Sequence, residues 1–278
     1  MKRLLLSSDE KTKSIDAKNQ SFGLSAFFTL ERYGYLYMNS SSGSGNCKYK
    51  RILLKLSGEA LSTGGGILNY AFIKQICANV KKCLDMGVQV SIVVGAGNIW
   101  RGRMGPEMDR TRADHMGMLA TTINALAIAD VLEHAGIVTR VMTAIAMHEL
   151  AEPYIRNRAV HHLEKGMVVI YGCGIGRPFF STDTAAVQYA IETDCDIVLM
   201  AKNIDAVYTA DPKVDSSAKR LASISHMYLL ENQLTVIDST ATSLAKDNNM
   251  PIMIFGLDDP DNIFRAVSGE EMGTVVNG

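Results

Sequence analysis

The chain has 278 residues, 47% of them hydrophobic and 21% charged, and its formal net charge is −1. That is enough apolar material for one large or two modest cores. The near-neutral balance argues against a protein built mainly to coat nucleic acid or an anionic membrane, but it leaves room for a local basic pocket.

Residues 1–47 differ from the rest. They hold nine serines, show no sustained helical or strand period, and end in Ser40-Ser41-Ser42-Gly43-Ser44-Gly45, a flexible-linker composition. The reading is a disordered tail, or a leader upstream of a start at Met38, with Phe27, Phe28, Tyr33, Tyr35 and Tyr37 able to pack part of it on a partner. Met1 to Leu6 opens like a signal peptide but runs into Ser7, Ser8, Asp9 and Glu10, so it lacks an apolar central region.

From residue 48 to 278 the texture is that of a single domain. Arg51 to Leu56 is a short apolar run ending at Ser57-Gly58, as a buried strand would. Asn69 to Met86 carries Phe72, Ile73, Ile76, Val80, Cys83 and Leu84 on one helical face, with Asn69 as N-cap and Gly87 just past the end. A strand at Val88 to Val94 follows, then a helix from about Asp114 to Ala135 and a strand from about Val138 to Thr143. Pro153 opens another helix, to Lys165, followed by a strand at Met167 to Tyr171. Thr182 to Thr193 reads as helix and Asp196 to Met200 as strand. The last elements are a helix near Asp238 to Asn248, a strand at Pro251 to Phe255 and a short helix after Asp259. Strands alternating with helices of this length make an α/β fold with a mostly parallel sheet covered on both faces.

The uncharged stretch Met116 to Ala129 is shorter than the roughly 18–20 residues a membrane span needs. It is either a buried core helix or a subunit interface. Five cysteines with no C-x-x-C pair read as reduced thiols of a cytosolic protein. The histidines form no metal-ligand spacing.

In an open parallel sheet, ligands bind beyond the carboxyl ends of the strands. Those ends are rich in glycine here: Lys55-Leu56-Ser57-Gly58, Gly95-Ala96-Gly97-Asn98 and Gly172-Cys173-Gly174-Ile175-Gly176-Arg177. Glycine lets several backbone N–H groups approach one anion. With Lys55, Arg101 and Arg103 nearby, the three loops make a site for several phosphates. No Gly precedes a Lys, so there is no P-loop, and no G-x-G-x-x-G occurs. The architecture is neither a P-loop kinase nor a dinucleotide-binding Rossmann domain.

The segment Tyr49-Lys-Arg-Ile-Leu-Leu-Lys55-Leu-Ser57-Gly58-Glu59-Ala-Leu, with Gly95-x-Gly97-Asn98-x-x-Arg101-Gly102, resembles the amino-acid-kinase superfamily. Within it, Ala113-Asp114-His115-Met116-Gly117-Met118-Leu119-Ala120-Thr121, Gly176-x-Pro178-Phe179-Phe180-Ser181-Thr182-Asp183 and Asp205-Ala-Val-Tyr208-Thr-Ala-Asp211-Pro212 resemble the bacterial UMP kinases. The likeness runs from Tyr49 to about Val276.

This resemblance implies an αβα three-layer sandwich with an acceptor-binding part over about 48–180 and an ATP-binding part over about 181–278. It implies ATP with Mg2+ as phosphoryl donor, UMP as acceptor and UDP as product in pyrimidine nucleotide biosynthesis. It also implies a cytosolic homohexamer activated by GTP and inhibited by UTP, with no nucleic-acid or membrane partner. By position, Lys55 is the catalytic lysine, and Ser57, Gly58, Gly97 and Arg101 line the ATP phosphates. Asp114 holds the ribose of UMP beside Ala96, while Ile175, Gly176, Arg177, Pro178, Phe179, Phe180, Ser181 and Thr182 wrap its base and phosphate. Lys202 or Asn203, with Tyr208 and Asp211, forms the adenine and ribose pocket. Asp183 either orients Lys55 or a magnesium-bound water, or only caps a helix. The chain departs from relatives at Ala96, where many have a third glycine, at Ile175 and Arg177, often Thr and Asn, and at Lys202-Asn203, Thr-Lys in some.

Overall fold

A computed structural model describes residues 47–62, 66–100, 107–210, 214–215 and 217–278, and the backbone of 28–30 and 36–38. The chain divides into two units, Met1–Ser42 and Gly43–Gly278. In the first, β1 (Phe28–Leu30) and β2 (Leu36–Met38) pair antiparallel. Those two strands fall inside residues 1–47, read from the sequence as a tail or leader; the rest of that stretch up to residue 46 lies outside the described residues. Aromatic and branched triplets five residues apart, with Gly34 between them, are a hairpin signal.

In the second unit the elements are β3 (Arg51–Leu56), a 3-10 turn (Gly58–Ser62), α1 (Tyr70–Asp85), β4 (Gln89–Val94), α2 (Arg110–His134), β5 (Thr139–Thr143), β6 (Glu152–Pro153), α3 (Arg156–Glu164), β7 (Val168–Gly172), α4 (Thr182–Glu192) and β8 (Ile197–Lys202). They continue with β9 (Val207–Tyr208), β10 (Arg220–Leu221), β11 (Ser223–Ser225), α5 (His226–Glu231), α6 (Ser239–Asp247), β12 (Ile252–Gly256), α7 (Asn262–Ser268) and β13 (Thr274–Asn277). Among the described residues, nine strands form one sheet in the order β11-β13-β12-β8-β3-β4-β7-β5-β6. The run from β12 to β6 is parallel throughout, and β13 pairs antiparallel with β12. The sheet crosses residue 180 without a break.

Period-two alternation sends each strand's side chains to two separate cores. Ile52, Leu54 and Leu56 of β3 pack with Ile73 and Ile76 of α1, Ile128 and Leu132 of α2, and Ile263 of α7. Leu53 faces the opposite way, into Leu163 of α3, Ala186 of α4, Leu229 of α5 and Ala245 of α6. Helices therefore cover both faces, as the expected three-layer sandwich requires.

Some boundaries differ from expectation. The second helix begins at Arg110 rather than Asp114, because Asp109 caps it by accepting from Arg112 N at 3.0 Å. Pro153 sits in β6, paired with Thr143, and the helix opens only at Arg156. Helix α2 has the length and hydropathy of a membrane span, yet Ala113, Ala125, Ile128 and Leu132 bury one face in the protein. Its other face exposes Met116, Leu119 and Ile123.

Candidate active site

Strand β3 lies at the point where the chain turns to both sides of the sheet, flanked by β4 and β8. A crevice at such a switch point is the expected ligand site. Lys55 shares the face of Leu53 and points toward α4, where it is 6% exposed. Ser181 caps α4: its Oγ accepts from Asp183 N at 3.0 Å and Thr184 N at 3.2 Å. This cap sets Asp183 beneath the end of β3. Lys55 Nζ lies 2.7 Å from Asp183 Oδ1, and Lys202 Nζ, from the end of β8, donates to Oδ2 at 2.7 Å.

Burial alone would raise the Asp183 carboxyl, but the two ammonium groups outweigh it and hold the acid below the usual carboxylate range. Lys202 is lowered, by burial first and then by Lys55, with Asp183 only partly offsetting them. The result is two cations on one carboxylate, held at fixed spacing.

Two of the glycine loops meet at the end of β3. A Cβ on Gly58 would lie 2.6 Å from both Gly95 O and Gly97 N, so only glycine allows the two strand-end loops to touch. Asn124, fully buried on α2, donates to Gly95 O at 2.7 Å and exchanges two hydrogen bonds with Asn98, at 2.7 and 2.9 Å. A polar residue in this apolar helix thus holds the loop.

On one side is a small cavity of about 120 Å³ lined by Ala96, Asp114, Ile175, Arg177, Phe180 and Thr182, among others. Asp114 accepts from Arg110 Nε at 2.9 Å and from Phe179 N at 2.9 Å. Phe179 has φ 70° and is 68% exposed, with the Arg110 guanidinium 5.5 Å from its ring. A bulky residue held in the left-handed region marks a clamp-like lip. On the other side is a cleft of about 680 Å³ lined by Asn203, Asp205, Tyr208, Leu234, Val236 and Asp258. The Tyr208 hydroxyl donates to Asp205 Oδ2 at 2.9 Å. A hollow of about 500 Å³, reaching Ser181, Asp183 and Asp238, lies beside α5 and α6. There the Ser181 hydroxyl donates to Asp238.

The structure thus groups Lys55, Ser57, Gly58, Gly97 and Asp183 at the strand ends, with Ala96, Asp114 and the 175–182 loop on one side. Asn203 and Tyr208 fall on the other side. Lys202 points at Asp183, while Asn203 enters the large cleft. Arg101 and Asp211, and with them Arg103, lie outside the described residues. Sequence reasoning missed Arg110, Asn124 and Asp238. A lone Asn in an apolar helix was the available signal for Asn124, and the Arg110–Asp114 spacing of four was the signal for Arg110.

The Amino acid kinase family model matches residues 50–256. Among solved structures, the chain is similar to a UMP kinase from Bacillus anthracis, with 43% identity and a TM-score of 0.79 over 82% of this chain and 96% of that one. It is similar to a UMP kinase from Ureaplasma parvum, with 36% identity and a TM-score of 0.79 over 82% and 99% of the two chains. A uridylate kinase from Archaeoglobus fulgidus gives 27% identity and a TM-score of 0.64 over 81% and 99%. The match takes in β3 through β12, both helical layers and the buried Lys55–Asp183–Lys202 group, and the chain belongs to the amino acid kinase family.

Proposed function

We propose that the protein transfers the γ-phosphoryl group of ATP to UMP, giving UDP and ADP, in pyrimidine nucleotide biosynthesis. The observation that carries this reading is the Lys55–Asp183–Lys202 group, set at the sheet's switch point between two cavities. The larger cleft takes the adenosine of ATP, between Asn203, Tyr208 and the 234–236 segment. The smaller cavity takes UMP, with Asp114 on its ribose and the 175–182 loop around base and phosphate.

Phosphoryl transfer asks a protein mainly for positioning and charge neutralisation. The nucleophile is an anionic oxygen of UMP, so no general base is needed. Lys55 and Lys202 neutralise the oxygens of the group in flight, and the N–H groups of the Gly58 and Gly97 loops bind the donor phosphates. Asp183 keeps the two lysines apart and aimed. Magnesium enters as part of the substrate MgATP. Both Asp183 oxygens already face lysines, a donor set that suits phosphate better than a protein-built magnesium cage.

The reading includes a cytosolic homo-oligomer, a hexamer, with GTP as activator and UTP as inhibitor. The exposed Met116, Leu119 and Ile123 face supports assembly between copies, and five free thiols, four of them buried, suit a reducing compartment. The test is phosphoryl transfer from MgATP to UMP, CMP, glutamate, aspartate, acetylglutamate and carbamate, followed by phosphorus NMR. UDP is the expected product. Transfer to one of the acids instead, or calorimetric binding of UMP and ATP with no UDP formed, rejects the reading.

A further inference from the structure

The loop between β7 and α4 opens with three left-handed residues within four positions, Cys173 (φ 66°), Gly174 (φ 53°) and Gly176 (φ 72°), and Phe179 (φ 70°) follows near its end. Glycine takes that region freely, whereas Cys173 is held in it by its surroundings. Cys173 N donates to Thr121 Oγ1 at 2.9 Å, and Gly176 N donates back to Cys173 O at 2.9 Å. A further fastening comes from α4: the Tyr189 hydroxyl donates to Gly174 O at 2.7 Å.

Tyr189 is 3% exposed. Its ring stacks on Tyr171 with centroids 4.2 Å apart, and Tyr154 meets it edge-on at 4.7 Å. Three interlocked rings leave Tyr189 little freedom, so its hydroxyl is delivered to one place. Gly174 lines the small cavity next to Ile175 and Arg177, whereas Tyr189 does not reach it.

We propose that Tyr189 is the positioning residue of the acceptor loop, acting through the Gly174 carbonyl to set the shape of the cavity that receives the nucleoside monophosphate. This rests on the reading of that cavity as the UMP site. Burial first, and then Glu192 and Cys173, push the Tyr189 phenol above its ordinary value, so the hydroxyl remains a donor across the neutral range. Tyr154 belongs to the same ring cluster, but its hydroxyl goes to Glu192 and leaves the loop alone.

The experiment compares Tyr189→Phe, which keeps the ring and removes the hydroxyl, with Tyr154→Phe and Asp114→Asn. All three are assayed with UMP and MgATP varied separately, alongside thermal melts. Losing the donor to a partly enclosed carbonyl is expected to raise the KM for UMP roughly tenfold in Tyr189→Phe, with kcat and the KM for ATP within about twofold. Tyr154→Phe is expected to lower the melting temperature without moving the KM for UMP. A wild-type KM for UMP in Tyr189→Phe overturns the proposal. So does an equal rise for both substrates, or the same UMP shift in Tyr154→Phe. If Asp114→Asn raises the KM for UMP and Tyr189→Phe does not, only the role of Tyr189 falls; if neither does, the assignment of the cavity falls with it.

Discussion

Asp183 carries the electrostatics of the site because a single buried carboxylate faces two ammonium groups at 2.7 Å. Asp183→Asn leaves those cations without their counter-charge, and breaking a buried pair in this way costs about 3–5 kcal/mol. A fall in melting temperature together with a loss of turnover is the expected outcome. The acid is held below the carboxylate range, so its stabilisation is complete above about pH 4 and is lost as pH falls through the lowered value. Lys202 has the opposite sign. Its ammonium is pulled down, so keeping it charged opposes folding at neutral pH, and that penalty fades as pH rises toward about 10.4. Arriving phosphates favour the charged form. ATP binding at alkaline pH is therefore expected to take up protons, measurable by calorimetry in buffers of different ionisation enthalpy, and Lys202→Met is expected to abolish the uptake. Lys55→Ala is expected to keep the fold by circular dichroism and lower kcat by roughly 10²–10³, as for loss of one transition-state donor; near-normal turnover would remove its role. Lys55 was legible in the sequence because a lysine at a strand end beside Ser57-Gly58 is a local signal. The Asp183–Lys202 pairing was not, because it joins a helix start to the next strand's end.

Among the elements, the long alternating ones and the short helix after Asp259 were legible, and the shortest strands were not. Helix α1 ends where Asn69 and Gly87 predict, with Asn69 Oδ1 accepting from Phe72 N at 3.1 Å. Strands β9, β10 and β11 have two or three residues each, too few to show a period. Strand β13 was invisible for another reason: its antiparallel turn onto β12 rests on Gly273, where a Cβ would lie 2.1 Å from Ile254 O at φ 60°. Gly273→Ala is expected to destabilise that edge strongly, read as faster hydrogen exchange in 274–277. At the site, Asn124→Leu removes the donor to Gly95 O and the pairing with Asn98. A loss of about 1–3 kcal/mol in denaturant unfolding is expected, with raised KM values because the loop carries Ala96 and Gly97.

For the molecule as a whole, a net charge of −1 conceals a concentrated positive point at the sheet's centre. Attraction of nucleotide phosphates to it is expected to weaken with salt less than an exposed patch would, since Lys55 and Lys202 are largely enclosed. The placement of β3 has a mechanical consequence. It is bonded along its length to β4, on the side of the Ala96 loop, and to β8, which leads into the larger cleft. Opening and closing the enzyme like a jaw would require tearing those ladders, so the sheet acts as a rigid anvil. Whatever travel the reaction needs is confined to the rim: the Phe179 lip and the segments that follow β8 and α5.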